Sequence, residues 1–391
     1  VRAAEPDQPR KMRGLRALPW LPAARDLRRS APRLKLPGRA WSEPRNLPRT
    51  GELGVWGWQG SRLLSSPAAR PLSAIQGALP AETIERMKDD AAAGDSTAQY
   101  HVGLACYEGK HGFEKDLSQA FDWFKKSAES GAAMAQFKVG FMYLTGEGVP
   151  VDKAEAARYF DLAAEQDIPE ARFNLGMCYE KGEGVPQDFV LACEQYALSA
   201  AKENIEASYR LGLMHLNGTG CRKDNGIAAE MFRMPAAKGG IPEAQFVLGY
   251  LILQGDGVKQ SASEGERYLA MAAEQGLHAA QHYLGMVLIK GFVVAKNEAK
   301  GLSWLQKAAM SGHFRSQFDL FEQLSKGKGM EKEAVKWLST AAQAGMPQAQ
   351  HRYGQCLQTG DLGVPKNEED GREWIRKAEA QGFVPESEKE R

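Results

Sequence analysis

No run of about 18 consecutive apolar residues occurs in this chain, so nothing in it reads as a membrane-spanning helix. Net charge is almost absent as well. At +1 it argues for neither a nucleic-acid surface nor a lipid surface as partner. Cysteine is scarce: Cys106, Cys178, Cys193, Cys221 and Cys356 are odd in number and form no C-x-x-C pair, which indicates neither a zinc motif nor a disulfide framework. Catalytic signatures are missing too. Neither G-x-S-x-G nor H-E-x-x-H occurs, and "GKGKGMEK" (327–334) has no G-K-[ST] and no preceding strand to make a phosphate loop. His278 and His282 have the i, i+4 spacing of a helical metal pair, but no third ligand is near them in sequence. They read as solvent-facing or packing histidines, and the expectation is that the chain has no catalytic, metal or cofactor site.

The first 75 residues lack His, Phe, Tyr and Cys altogether. They hold 15 Lys and Arg against 5 Asp and Glu, leaving 35 basic and 44 acidic residues for the remainder, so a basic head precedes an acidic body. From Met12, the first methionine and the expected initiator, the head is Arg-rich, Pro-studded and poor in acids. That composition fits a mitochondrial transit peptide, with "RLLSSPAARP" (62–71) as the candidate processing region. A disordered extension or untranslated upstream sequence is the bland alternative. A secretory signal needs a longer apolar run than "ALPWLPAA" offers. The expected organisation is a disordered basic segment 1–78, a capping helix over 79–96, a repeat array over 97–384 and a polar tail 385–391. The expected location is mitochondrial, with the endoplasmic reticulum or cytoplasm as alternatives.

What the body does have is repetition. "TGEGVP" (145–150) returns as "KGEGVP" (181–186), and the surrounding residues return with it. An anchoring Ala or Ser recurs at 98, 135, 171, 207, 244, 280, 316 and 349. Glycine stands five residues further on at 103, 140, 176, 212, 249, 285 and 354, with Phe321 in the seventh unit. Ala, Leu and an aromatic or apolar residue at offsets 0, +4 and +8 from the anchor predict a first helix. The helical glycine implies a partner too close for a Cβ, since glycine inside a helix otherwise costs about 1 kcal/mol against alanine. The G-x-G-V-P turn ends this helix, and Asp116, Asp152, Asn297 and Asn367 then start a second one as N-caps. A bulky residue recurs seven positions after the cap (Trp123, Tyr159, Phe232, Tyr268, Trp304, Trp337, Trp374). Gly131, Asp167, Asn204, Gly240, Gly276, Gly312, Gly345 and Gly382 supply the left-handed stop. Cys106, Cys178 and Cys356 fall on apolar positions of this pattern and read as small buried hydrophobes.

The pattern A-x-x-x-L-G-x-x-Y-x-x-G-x-G-V-x-x-D-x-x-x-A-x-x-x-Y-x-x-A-A-x-x-G, carried over about residues 97–382, resembles the Sel-one-like repeat (SLR), a relative of the tetratricopeptide repeat. The resemblance implies an all-α fold: a right-handed α-solenoid of about eight helix–turn–helix units. It also implies a non-enzymatic scaffold or adaptor for protein–protein interaction, here in mitochondrial stress signalling or complex assembly. An endoplasmic-reticulum quality-control adaptor is one alternative, to which "NGT" (217–219) offers a glycosylation acceptor. A hydrolase with its site in the concave groove is another. In related solenoids the first helix lines that groove.

The helical angle suggests where a partner would lie. At about 100° per residue, offsets 0, +4 and +8 fall at about 0°, 40° and 80°, and offset +6 at about 240°, away from them. Offset +6 reads Leu104, Phe141, Met177, Leu213, Tyr250 and Met286, then Glu322 and Gln355. An apolar row where a solvated face would carry charges is the candidate groove for a bound protein or peptide segment. The aromatic residues at +2 (Tyr100, Phe137, Phe173, Tyr209, Phe246, Phe318) read as packing between repeats.

Overall fold

Two helices per repeat form from this pattern. The computed structural model describes residues 80–384 apart from position 328. The basic segment 1–78, with its expected transit peptide, and the tail 385–391 lie outside the described residues. The described residues divide into two compact units, the first ending at Asp224 and the second starting at Asn225. The first holds α1 (Ala81–Ala92), α2 (Ser96–Glu108), α3 (Leu117–Glu129), α4 (Ala133–Thr145), α5 (Lys153–Glu165), α6 (Pro169–Lys181), α7 (Phe189–Ala200) and α8 (Ile205–Asn217). The second holds α9 (Asn225–Ala237), α10 (Pro242–Gln254), α11 (Ala262–Glu274), α12 (His278–Lys290), α13 (Glu298–Met310), α14 (Phe314–Leu324), α15 (Glu331–Gln343), α16 (Pro347–Thr359) and α17 (Glu368–Glu379). No strand occurs among the described residues. Within each unit every helix packs on the helices before and after it, so the architecture is all-α and solenoid-like. The expected capping helix is α1, whose Ala91 is buried in the first core cluster with Met87 packed beside it.

The recurring glycine of the first helix sits where predicted, against the second helix of its own repeat. A Cβ on Gly103 would stand 2.8 Å from the Phe124 ring, and one on Gly176 2.8 Å from Tyr196. In the second unit an aliphatic residue replaces the ring and a second glycine faces the first: a Cβ on Gly285 would lie 2.9 Å from the carbonyl of Gly301. The residue filling this contact lies eight positions after the cap, next to the bulky residue of the pattern. Phe124, Phe160 and Tyr196 have no exposed surface. Beside them Tyr159, Tyr268 and Trp304 are buried and Trp123 and Trp374 half-buried, each with a Lys or Arg 4.0–4.7 Å over its ring. A long cationic side chain lying over such a ring covers it from water and adds a modest attraction.

The second-helix caps form as read. Asp116 accepts from Gln119 N, Asp152 from Ala154 N and Glu155 N, Asn297 from Lys300 N, and Asn367 from Asp370 N. Asp188 and Ser261 do the same. One assignment changes. Glu203, at φ 61°, takes the left-handed stop of the third repeat, and Asn204 (φ −69°) becomes the N-cap of α8, accepting from Ala207 N. Asparagine suits both jobs, and the side-chain bond to the next helix decides between them.

A device the pattern reading missed joins the repeats. A buried glutamine just after the anchoring Ala or Ser donates to a carbonyl at the end of the preceding helix. Gln136 reaches Ala128 O at 3.4 Å, Gln281 reaches Ala273 O at 2.9 Å and Gln350 reaches Ala342 O at 3.2 Å. It gives a second donor to a carbonyl that already accepts from the backbone of the turn after the helix, as Ala128 O does from Gly131 N. In three repeats a glutamine from the following second helix closes the chain by donating to this one: Gln166 to Gln136, Gln275 to Gln245 and Gln381 to Gln350, at 2.7–2.8 Å.

Candidate functional site

The offset +6 row lies on the first helices but is half sunk between them. Phe141, Met177 and Leu213 in the first unit are half-buried, as are Tyr250 and Met286 in the second. Leu104 is 7 % exposed and belongs to the first core cluster with Cys106 and Phe124, so it is no surface residue. The angle of an isolated helix misjudges this row because the first helices of successive repeats touch. Phe141 packs on the core cluster around Phe160, and the rings of Tyr250 and Tyr283 meet edge to face at 5.4 Å. Of the flanking +2 residues, Phe137 and Phe246 are buried, as the packing role requires.

Polar contacts tie the first helices to one another and to neighbouring elements. The Tyr107 hydroxyl donates to Glu147, and Lys138 stands 5.2 Å over the Tyr107 ring. Burial holds the Lys138 ammonium below its ordinary pKa, with Glu108 and Glu147 acting against that. Glu180 accepts from the Tyr196 hydroxyl at 2.6 Å and lies 3.6 Å from Arg210 of the next first helix. In the second unit Gln254 donates to Tyr283 at 2.9 Å.

A hydrolase would need a histidine, serine or cysteine converging with a carboxylate. His282 does bond to Asp319, and His313 Nδ1 lies 2.7 Å from Ser316 Oγ. Both contacts are sealed, since His282 and Ser316 have no exposed surface, and His313 also accepts from Ser316 N as the N-cap of α14. Burial, with His282 beside it, pushes the His313 imidazole down to about 4, which suits a neutral cap. The His278–His282 spacing comes to nothing: His278 opens α12 and is exposed, while His282 turns inward.

Cys106, Cys178 and Cys356 are buried in the core clusters, in keeping with the small-hydrophobe reading. Exposed apolar residues also stand on a second helix: Val190, Leu191 and Leu198 on α7, which the pattern reading did not single out. Among the described residues no helix is long and apolar enough to cross a membrane.

Comparison with known proteins gives a consistent answer. The family model of the Sel1 repeat matches eight times, over residues 96–131, 133–168, 169–204, 205–240, 242–277, 278–313, 315–346 and 347–383. Among solved structures, a protective antigen of uropathogenic Escherichia coli strains displaying an SLR fold is 32 % identical, covering 77 % of this chain and 72 % of its own at a TM-score of 0.61. A Sel1 repeat protein from Oxalobacter formigenes is 27 % identical over 77 % of this chain and 87 % of its own, at a TM-score of 0.59. No curated protein matches.

Proposed function

The chain belongs to the Sel1 repeat family, and from that premise we propose that it is a non-enzymatic scaffold holding a protein segment against the first-helix face of its repeats. The observation carrying this reading is the row Phe141, Met177 and Leu213 on α4, α6 and α8, apolar and still half open to solvent. Apolar side chains left partly uncovered at one offset in three successive repeats are what a partner segment would finish burying. Methionine in such a row adapts to partners of varied shape. Tyr250 and Met286 extend the reading to the second unit.

Changing Met177 and Leu213 together to Glu should abolish capture of the partner while leaving helical content and melting temperature nearly as in the unmodified protein. A pull-down from mitochondria read by mass spectrometry, beside circular dichroism, measures both. Unfolding of the double variant would assign the residues to the core, and normal capture would move the partner to another surface.

The basic, acid-poor composition of residues 12–75 supports mitochondria as the place where this scaffold works, in stress signalling or complex assembly. Residues 12–78 fused to a fluorescent protein should label mitochondria in living cells. A diffuse cytosolic or a reticular signal would contradict that address.

A further inference from the structure

The repeats serve as their own comparison, and the fourth departs from the others at one spot. In the second repeat Tyr143 (offset +8) and the loop residue Val149 (offset +14) share a cluster with Phe121 of the preceding second helix. In the third, Tyr179 and Val185 do the same with Ala157. Both spots are apolar plugs. In the fourth repeat the same three positions hold His215 on α8, Cys221 in the loop after it and Cys193 on α7. All three apolar residues have been exchanged for metal-ligating types at one place. Their ligand atoms lie within 4.8 Å of one another.

The geometry fits a small ion. With zinc–sulfur and zinc–nitrogen bonds of about 2.3 and 2.0 Å, tetrahedral ligand atoms stand roughly 3.5–4 Å apart, so small side-chain rotations close the site. A second observation points the same way. His215 Nδ1 lies 3.1 Å from the carbonyl oxygen of Arg222. A carbonyl can only accept, so Nδ1 carries the hydrogen and Nε2 keeps the lone pair. A backbone carbonyl orienting the imidazole in this way is the usual outer partner of a ligating histidine. Cys193 is buried and His215 and Cys221 are half-buried, so an ion could enter and a fourth position would face outward.

We propose that Cys193, His215 and Cys221 bind one zinc ion, with water or an incoming ligand as the fourth donor. On binding, each thiol releases one proton to solvent and His215 binds neutral, so two thiolates balance the charge of the ion. The thiolate pair selects a soft divalent metal over magnesium or calcium. The ion would tie the second helix of the third repeat to the first helix and loop of the fourth.

The test uses the full chain, stripped of metal and kept reduced. Titration with cobalt(II) as a spectroscopic stand-in should give a thiolate charge-transfer band and tetrahedral ligand-field bands that saturate at one ion per chain and vanish on adding zinc. Cys221→Ser should lose the charge-transfer intensity and the rise in melting temperature that zinc gives the unmodified protein. Cys178→Ser, at a buried cysteine outside the group, should keep both. Should Cys221→Ser fail to fold, alkylation followed by mass spectrometry decides on the unmodified protein: zinc should protect Cys193 and Cys221 and leave Cys178 unchanged. Absence of the charge-transfer band, equal binding by folded Cys221→Ser, no zinc protection of the two thiols, or a Cys193–Cys221 disulfide under reducing conditions would each overturn the proposal.

Discussion

Gly184→Ala should cost far more than Gly276→Ala, although each adds one methyl group to a glycine at positive φ. Gly184 is the second glycine of "KGEGVP", at φ 78°. A Cβ there would collide with the carbonyl of Lys153, at the start of α5 in the preceding repeat. Gly148 meets Leu117 and Gly220 meets Phe189 in the same way. Gly276 has φ 88°, but a Cβ on it meets nothing within 4 Å. The conformational cost of a left-handed alanine, about 1–2 kcal/mol, is common to both. Asp167 shows that it can be borne, holding φ 63° in the second repeat at the position that matches Gly276. Only Gly184→Ala adds a clash with backbone that no rotamer change relieves. The third repeat should therefore lose its seat on the second, and thermal unfolding of the full chain should start lower and broaden. Equal melting temperatures for the two variants would show that the loop does not dock on α5.

Gly176→Val should lower stability by about 1–3 kcal/mol, the range for overpacking a filled core. The Tyr196 ring lies 2.8–2.9 Å from where the new Cβ would stand and has no exposed surface. Its hydroxyl is held by Glu180, so the ring cannot slide aside without breaking that bond. At roughly 2–4 °C for each kcal/mol in a unit of this size, the loss is easily read in a thermal melt. Adjacent repeats should loosen as well, because stability in such arrays is shared between neighbours. Combining Gly176→Val with Tyr196→Leu should cost less than the two changes added together, as expected of residues in contact. A single variant melting within a few tenths of a degree of the unmodified protein would refute the helix pairing.

The helix pairs were legible because each one is rewritten with its anchor, glycine, turn and cap in phase. Details that depend on neighbouring repeats were not. The close partner of the helical glycine was expected, but not which residue it is; Tyr196, eight positions after its cap, fills that space beside Gly176. Gln136 and Gln281 look like ordinary polar residues until the end of the preceding helix stands over them. Leu104 and Phe141 share one helical angle, but one is core and the other half open, because burial depends on what the adjoining helices bring. Cys193, His215 and Cys221 form no recognisable spacing. They meet only because a second helix, a first helix and a loop from two repeats stack there.

The central claim is that the partner lies on the first-helix face. A photo-crosslinking amino acid placed at Met177 on α6, and separately at Leu198, exposed on α7, tests it inside cells. Both probes sit in the third repeat, so expression and location are matched. The account predicts that Met177 yields discrete adducts with a partner protein on illumination and that Leu198 yields none. Adducts from Leu198 with none from Met177 would place the partner on the second-helix face and contradict it.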